Sequence, residues 1–214
     1  RLRHMSKFQA PRGTRDLLPA EMADFRRLEE SGRRLAALYG YQPIDTPIFE
    51  DSAVFERGVG EATDIVEKEL FRVRSPGGDA DRWALRPEPT AGIWRAYVEH
   101  GMHTLPQPVK LTMFGPMFRY DRPQAGRYRQ FWQWDVEAIG DPGPAIDAEL
   151  IELAYRFLAD AGVEGVELHL NSIGDGNCRP RYIEALVEHM NRFASELPEL
   201  ERQLGSTRQR VPAL

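Results

Sequence analysis

Five side chains that could bind a ligand recur at every second position of one short run. They are Arg129, Phe131, Gln133, Asp135 and Glu137, and the residues between them are mostly apolar. Successive side chains of a strand point to opposite faces, so the alternation predicts a strand with one packed face and one polar face. Antiparallel sheets often expose a face to water, but such a face usually carries Lys, Thr and Ser. We therefore favour a ligand-binding face over an ordinary solvated one.

The loop before this run is rich in arginine. Four arginines crowd the predicted hairpin: Arg119, Arg122, Arg127 and Arg129. Its tip, 123–126, bends by proline and glycine. Guanidinium groups suit phosphate and carboxylate oxygens, and four neighbouring cations repel one another unless an anion is present. Phe131 could stack on a base, so we favour a nucleotide. The alternative is a solvated turn with ion pairs to Asp121 and Asp135, which would contribute little stability.

The apolar pattern predicts the elements that would position these residues. Helical spacing predicts helices at 19–39, between Thr90 and Gly101, between 144 and 162, and at 179–194. Strand-like runs occur at 41–50, 69–74, 83–86 and 166–170, in addition to the two runs of the hairpin within 109–140. The runs at 69–74 and 83–86 flank a glycine-containing turn. Consecutive hairpins of this kind favour an α+β fold, with a mainly antiparallel sheet flanked by helices.

Prolines and a glycine add two expectations about packing. Pro43 and Pro47 interrupt the run at 41–50, and proline is confined to edges or bulges of sheets. An exposed edge needs a cover, and dimer formation is one way to supply it. Gly32 lies inside a predicted helix at a cost of about 1 kcal/mol relative to alanine, so we expect close packing there.

Glu88 precedes a predicted helix and lies between two prolines that fix its backbone. Thr90 is a credible N-cap of that helix, and Gly101 a credible residue after its end. One interpretation of Glu88 is a capping carboxylate with favourable dipole energy. The other is a rigid carboxylate that meets a cationic group of a ligand. The residues alone leave both open.

Composition excludes several classes of protein. The 214 residues are 42% hydrophobic, enough for a sizeable core, and the net charge of −5 argues against a general nucleic-acid coat protein. Local nucleic-acid contact through the hairpin remains compatible with that charge. The single cysteine, Cys178, excludes an intramolecular disulfide and a zinc-binding set, which favours a reducing cytosol. No apolar run approaches the roughly 18 residues of a membrane helix.

Several separated segments resemble the class II aminoacyl-tRNA synthetases, and within them the histidyl-tRNA synthetase family. The hairpin at 118–140 is similar to motif 2 of the class, and 40–50 to motif 1, which builds a dimer interface. Further similar segments are PRGTRD at 11–16, GEATDIVEKE at 60–69, LRPEPTA at 85–91 and LNSIG at 170–174. The resemblance runs from about Phe8 to Leu200. It implies a class II catalytic core, incomplete here, in which 5–204 is the N-terminal part of the catalytic domain.

The resemblance implies ATP-dependent activation of histidine and its transfer to tRNA(His). The implied histidine-binding residues are Glu88, Thr90, Arg119, Gln133 and Glu137. The implied ATP-binding residues are Arg119, Asp121, Arg127 and Phe131. Arg119 would be catalytic, bridging the α-phosphate of ATP and the carboxylate of histidine, while Arg127 holds the terminal phosphates and Phe131 stacks on adenine. Mg²⁺ is expected with the phosphates. The loop at 122–128, with Arg122 and Gln124, would meet the tRNA acceptor end.

The chain also departs from the family pattern. Asp121 replaces the usual glutamate, Pro89 stands where many members have glycine, and motif 3 and the anticodon domain are missing. We interpret 1–4 as a leader or cloning remnant before Met5, and 205–214 as a tail outside the family, from truncation or a change of reading frame near Gln203. The fragment is therefore expected to have low or no activity.

A homodimer formed through Gly40–Glu50 is expected from the resemblance to motif 1, and a cytoplasmic location from the single cysteine. Two alternatives remain at this point. One is the regulatory subunit of ATP phosphoribosyltransferase, which shares the fold; Arg127, Gln133 and Glu137 argue against it. The other is a non-catalytic module that binds tRNA or dimerises.

Overall fold

The computed structural model of the chain describes residues 8–59, 69–74, 82–172 and 174–192. Within the chain, contacts separate two units, one up to Val166 and one from Glu167 onward. Several sequence predictions lie outside the described residues: the leader and Met5, most of the segment at 60–69, the turn at 75–81, and the tail at 205–214.

Five α-helices form in the described chain. They are α1 (Pro19–Leu38), α2 (Ser52–Val59), α3 (Thr90–Glu99), α4 (Pro144–Asp160) and α5 (Arg179–Arg192), with a 3-10 turn at Met102–Thr104. Proline occupies the start of α1 and α4, where a missing N–H costs nothing. Gly101 follows α3 with φ of 62°, as expected of a residue that ends a helix. None of the described helices has the length and apolar character needed to cross a membrane.

Two three-stranded sheets carry the strands. The strands are β1 (Gln42–Pro43), β2 (Phe49–Asp51), β3 (Arg72–Val73), β4 (Trp83–Leu85), β5 (Val109–Phe118) and β6 (Gln130–Ile139). β5 pairs antiparallel with β6 in unbroken register, from Val109 opposite Ile139 to Phe118 opposite Gln130, and β1 lies parallel to β5. β4 lies between β2 and β3 and is antiparallel to both. The predicted α+β class is confirmed.

Two strand predictions were wrong. The run at 41–50 is not one strand, because its two ends join different sheets, β1 beside β5 and β2 beside β4. Pro43 is the last residue of β1, and Pro47 lies between the two strands. The run at 166–170 forms no strand, since a strand needs a hydrogen-bonded neighbour and none among the described residues pairs with it.

One face of β6 packs against two helices of the first unit. Trp134, Val136 and Ala138 contact a buried cluster of Ala36 from α1, Tyr41, and Leu153 from α4. Gly32 of α1 confirms the expected close approach: a Cβ there would lie 3.2 Å from the Trp134 ring. A second buried cluster joins α3 to β5 and includes Ile93, Tyr97, Leu111 and Met113. The hairpin is thus held between helices, which fixes the direction of its polar side chains.

The second unit contains α5 and the loop before it. Asp175 accepts the backbone N–H of Asn177 and of Cys178 at 2.9 Å, and its own backbone carbonyl accepts the N–H of Arg179. These bonds satisfy donors that the helix start would otherwise leave free. Cys178 is exposed.

Candidate active site

The carboxyl groups on the polar face of β6 lie opposite apolar residues of β5. Gln133, Asp135 and Glu137 pair with Gly115, Met113 and Leu111 on β5. Directly paired residues point to the same face of an antiparallel ladder, so the neighbours of these polar groups are a glycine and two apolar side chains. The ion pair between the hairpin arginines and Asp135, considered above as an alternative, is absent from the described contacts.

Asp135 is the most perturbed acid of this face. Burial raises its pKa to about 7, and the negative charges of Glu137 and Glu88 add to the effect. One carboxylate oxygen of Asp135, Oδ2, is buried without a hydrogen-bond partner among the described residues. Such an atom costs free energy, so the rest of the fold must stabilise this arrangement.

Glu137 connects this acid to α3. Burial raises the pKa of Glu137, while a hydrogen bond from the Thr90 side chain acts in the opposite direction. The interaction with Glu137 also raises the pKa of Asp135, while the interaction with Asp135 lowers that of Glu137. Three carboxyl groups, those of Glu88, Asp135 and Glu137, therefore lie close enough to influence one another.

Glu88 is a capping carboxylate, one of the two interpretations left open by the sequence. Its oxygens accept the backbone N–H of Thr90 at 2.7 Å and of Ala91 at 2.9 Å. Pro89, rather than Thr90, occupies the N-cap position, so the prediction of Thr90 as N-cap was wrong by one residue. Thr90 is the first helical residue, and its hydroxyl is therefore available to Glu137.

Arg119 lies between the acidic residues and the arginine loop. Its Nε donates to the carbonyl of Pro87 at 2.9 Å, and its guanidinium lies 5.1 Å from the centre of the Phe131 ring. The backbone N–H of Arg119 donates to the carbonyl of Arg129, which closes the hairpin at this point. Both main-chain and side-chain contacts thus fix the position of this guanidinium.

All four residues predicted to bind ATP line one cavity of about 310 Å³. Its lining contains Arg119, Asp121, Arg127 and Phe131, together with Gly126, Tyr128 and Trp132. The Asp121 carboxylate pairs with Nε of Arg127 at 2.7 Å, so part of the internal pairing considered above does occur. That pair is largely exposed at Arg127, which leaves its guanidinium accessible to an anion.

Arg122 and Gln124, predicted to meet the tRNA acceptor end, lie at the exposed tip. The backbones of Gln124 and Arg127 pair across the turn, and Gly126 permits it with φ of 77°. Two cavities are larger. One of about 630 Å³ adjoins the arginine cavity, sharing Tyr128, Phe131 and Trp132 with it, and extends along the segment at 10–17; one of about 940 Å³ lies between α2 and α3. The arginine cavity is therefore identified as the candidate nucleotide site by its arginine side chains and not by its volume.

Sequence reasoning missed two supports of the hairpin. The carbonyl of Gly13 accepts the backbone N–H of Arg129 at 2.7 Å, and a Cβ on Gly13 would lie 2.8 Å from the Arg129 side chain. Arg86 is buried behind the strand end that carries Glu88. The signals available were a glycine after Pro11-Arg12, and an arginine between the apolar residues Leu85 and Pro87.

No group of three or more His, Cys, Asp or Glu side chains suited to hold a metal ion occurs in the described ranges of the chain. Mg²⁺ is usually held by one or two carboxylates and by the phosphates of its nucleotide. A nucleotide-borne Mg²⁺ is compatible with this donor set, because it needs no protein cage.

Comparison with known proteins identifies relatives of the chain. The family profile described as histidyl-tRNA synthetase matches residues 13–204. A histidine–tRNA ligase from Dehalococcoides mccartyi is 48% identical over 205 residues, which cover 95% of this chain and 49% of that protein. The chain therefore spans about half the length of the curated relatives it matches.

Solved structures agree. The structure of apo histidyl-tRNA synthetase from S. aureus matches with a TM-score of 0.67 and 38% identity, over 89% of this chain and 44% of that one. A Bacillus halodurans structure described as an ATP phosphoribosyltransferase regulatory subunit/histidyl-tRNA synthetase matches with a TM-score of 0.61 and 29% identity, over 73% and 38% of the two chains. The resemblance inferred from the sequence motifs is thereby confirmed.

Proposed function

Because the chain belongs to the histidyl-tRNA synthetase family, we propose that it supplies the histidine and ATP sites of a histidine–tRNA ligase. The whole ligase would activate histidine with ATP and transfer it to tRNA(His). One observation carries the proposal. Partly buried carboxyl groups lie at one end of the polar face of the hairpin, an arginine cavity lies at the other, and Arg119 lies between them. In such a site the carboxyl groups would hold the cationic part of a ligand, Arg119 its reacting carboxylate, and the arginine cavity its phosphates.

The proposed chemistry needs no side-chain nucleophile. A carboxylate oxygen of histidine attacks the α-phosphorus of ATP, the bond to the bridging oxygen breaks, and pyrophosphate leaves. Arg119 would neutralise charge on the α-phosphate and orient the attacking carboxylate, so catalysis is positioning and electrostatic stabilisation. Mg²⁺ would enter with the phosphates of ATP as part of the substrate.

The remaining residues would bind the substrates. Glu137, with Glu88, Thr90 and Gln133, would hold the ammonium and imidazole groups of histidine. Arg127 and Asp121 would border the terminal phosphates, and Phe131 would stack on adenine; in the ligand-free chain its ring faces Arg119 at 5.1 Å. The exposed tip with Arg122 and Gln124 would meet the acceptor end of tRNA(His).

We also propose a cytoplasmic homodimer formed through Gly40–Glu50. Support comes from β1 and β2, which are both short edge strands within the described sheets and whose exposed edges invite pairing.

Thermal unfolding with ligands tests the proposal. A ligand that binds only the folded state stabilises it by RT ln(1 + [L]/Kd), about 2.7 kcal/mol at a hundredfold excess over Kd. The chain should gain stability with histidine and with ATP, and more with both. Glu137→Ala should abolish the response to histidine and keep the response to ATP. A response to ATP alone in the unsubstituted chain would refute the histidine site, and a response to neither would refute both sites for this chain.

The second candidate function rests on the name of the Bacillus halodurans relative, which mentions a phosphoribosyltransferase regulatory subunit. Such a subunit would not exchange pyrophosphate with ATP in the presence of histidine. Exchange that depends on histidine, measured on the full-length protein, therefore separates a ligase from a regulatory subunit. Filter binding of tRNA(His) tests the third possibility, a non-catalytic module.

A further inference from the structure

Arg86 is a buried cation without a buried counter-ion. Its side chain is 3% exposed, and the carboxylate with which it forms an ion pair, Asp45 at 3.3 Å, is 85% exposed. A charge removed from water is expensive unless close partners replace the lost hydration. An apolar residue of similar volume would avoid that cost, so the guanidinium must be explained by its hydrogen bonds.

Those hydrogen bonds join three segments of the chain. Nε of Arg86 donates to the carbonyl of Pro116 on β5 at 3.0 Å, and Nη1 donates to the carbonyl of Thr46 at 2.6 Å. The main chain of Arg86 repeats the pattern: its N–H donates to Ile48, and its carbonyl accepts the N–H of Phe118. The planar, five-donor fork of arginine suits this task, and the single ammonium of lysine does not.

The sequence of β5 provides the space for this side chain. A Cβ at Gly115 would lie 2.5 Å from Nη2 of Arg86, too close for any side chain. Gly115 pairs with Gln133 and therefore faces the polar side of the hairpin. The guanidinium of Arg86 thus lies over Gly115 on the polar side of the hairpin, in a gap that only glycine leaves open.

The residues after Arg86 belong to the proposed histidine site. The carbonyl of Pro87 accepts Nε of Arg119, and the carboxylate of Glu88 caps α3. Both flanking prolines of Glu88 are fully buried. A shift of the strand end at Arg86 would therefore move the contacts of Arg119 and Glu88 together.

We propose that Arg86 is a positioning residue: its guanidinium ties the segment at 45–48 to β5 and thereby sets where Arg119 and Glu88 stand. The proposal rests on the proposed function for its consequence in histidine binding, but the positioning itself is a property of the ligand-free chain. Arg86 touches no substrate in this scheme and acts only through the carbonyl of Pro87 and the backbone of Glu88.

A ligand-free measurement tests the positioning. Hydrogen exchange of the Arg119 Nε–H, followed by NMR on ¹⁵N-labelled chain, reports its bond to Pro87. Arg86→Lys and Gly115→Ala should each accelerate that exchange at least tenfold at a temperature where both variants are folded. Arg33→Lys, which changes an exposed arginine on α1, is the matched control and should leave it unchanged. Unchanged exchange in both variants would overturn the proposal.

Histidine binding then separates positioning from a purely structural role. With titration calorimetry on the folded proteins, both variants should bind histidine at least tenfold more weakly than the unsubstituted chain. A lower Tm with unchanged histidine affinity would mean that Arg86 only stabilises the fold, and would refute its role in the site. If the unsubstituted chain binds no histidine, the proposed function fails, while the exchange measurement still decides whether Arg86 positions Arg119.

Discussion

The two faces of β6 are formed by alternate residues of one ten-residue strand, and they differ in how well their polar groups are paired. On the face toward α1 and α4, Trp134 lies against Phe157 with ring centres 4.5 Å apart, and its Nε1 donates to Thr112 at 3.0 Å. On the other face Asp135 has a buried oxygen with no hydrogen-bond partner in the described part of the chain, and a pKa raised by burial. The polar and aromatic groups of Trp134 thus have partners on the first face, whereas the second face carries a buried polar atom for which none is found among the described residues.

This difference supports the proposal that the polar face is the binding face. Natural proteins tend to keep unfavourable groups where activity requires them, so replacing such groups often improves stability. Substitutions on the helix-facing side should therefore destabilise the chain, and conservative substitutions on the polar side should be neutral or stabilising. The sign of the change, rather than its size, separates the two faces.

Trp134→Ala should have the largest effect. Removal of a large aromatic side chain from a packed site costs about 3 kcal/mol or more in the free energy of unfolding. Denaturant unfolding measures the loss. The matched control is Trp94→Ala on α3, where the tryptophan is exposed and the loss should be much smaller. Equal losses of unfolding free energy in the two variants would contradict the conclusion that the helix-facing side of β6 is a packed core.

Asp135→Asn should stabilise the chain at neutral pH. The pKa of Asp135 is about 7 in the folded state, above the 3.8 of an ordinary aspartate. Between these values the folded state binds more protons than the unfolded state, so the contribution of Asp135 to stability is present at low pH and lost as pH rises toward 7. The free energy of unfolding can change by at most about 1.4 kcal/mol per pH unit for one titrating group. Asparagine has nearly the same shape as aspartate and does not titrate.

The measurement is the difference in unfolding free energy between Asp135→Asn and the unsubstituted chain across pH. We expect the variant to gain about 2 kcal/mol relative to the unsubstituted chain between pH 5 and pH 7, and nothing further well above pH 7. A flat difference for Asp135→Asn would mean that this carboxyl is solvated or paired.

The sequence was sufficient for periodic and local features of this region. Alternation along 129–137 predicted the two faces, and the position of Gly32 predicted close packing against α1. Contacts between distant segments were not predictable: nothing local indicates that Arg86 reaches Thr46 and Pro116, or that Gly13 supports Arg129. The pairing of 42–43 and 49–51 with different sheets was missed for the same reason, since each depends on a strand more than 30 residues away.

Gly32→Ala should produce a smaller loss, of about 1 kcal/mol. Alanine gains about 1 kcal/mol of helix propensity over glycine, but the new Cβ would lie 3.2 Å from the Trp134 ring. That ring is held by Phe157 and Thr112 and cannot retreat, so overpacking outweighs the gain. The decisive measurement is the change in unfolding free energy that Gly32→Ala causes in a Trp134→Phe background. Because the phenylalanine ring is smaller, the substitution should there be neutral or stabilising. A loss that persists there would place the clash elsewhere.

Arg127→Ala should have the smallest effect on stability, below about 0.5 kcal/mol, because an exposed ion pair such as that with Asp121 contributes little. Its effect on ATP should be large by comparison, since a charged hydrogen bond to phosphate contributes about 1.5 to 3 kcal/mol, or roughly a 10- to 100-fold change in affinity. Calorimetric titration with ATP and with adenosine distinguishes the two roles: the variant should lose affinity for ATP and keep that for adenosine. Arg156→Ala, from an exposed pair with Glu152 on α4, should change neither affinity. Equal weakening of the binding of both ligands by Arg127→Ala would mean that the arginine orders the loop rather than binding phosphate. Arg127 would then have a structural role, like the residues on the packed face of β6.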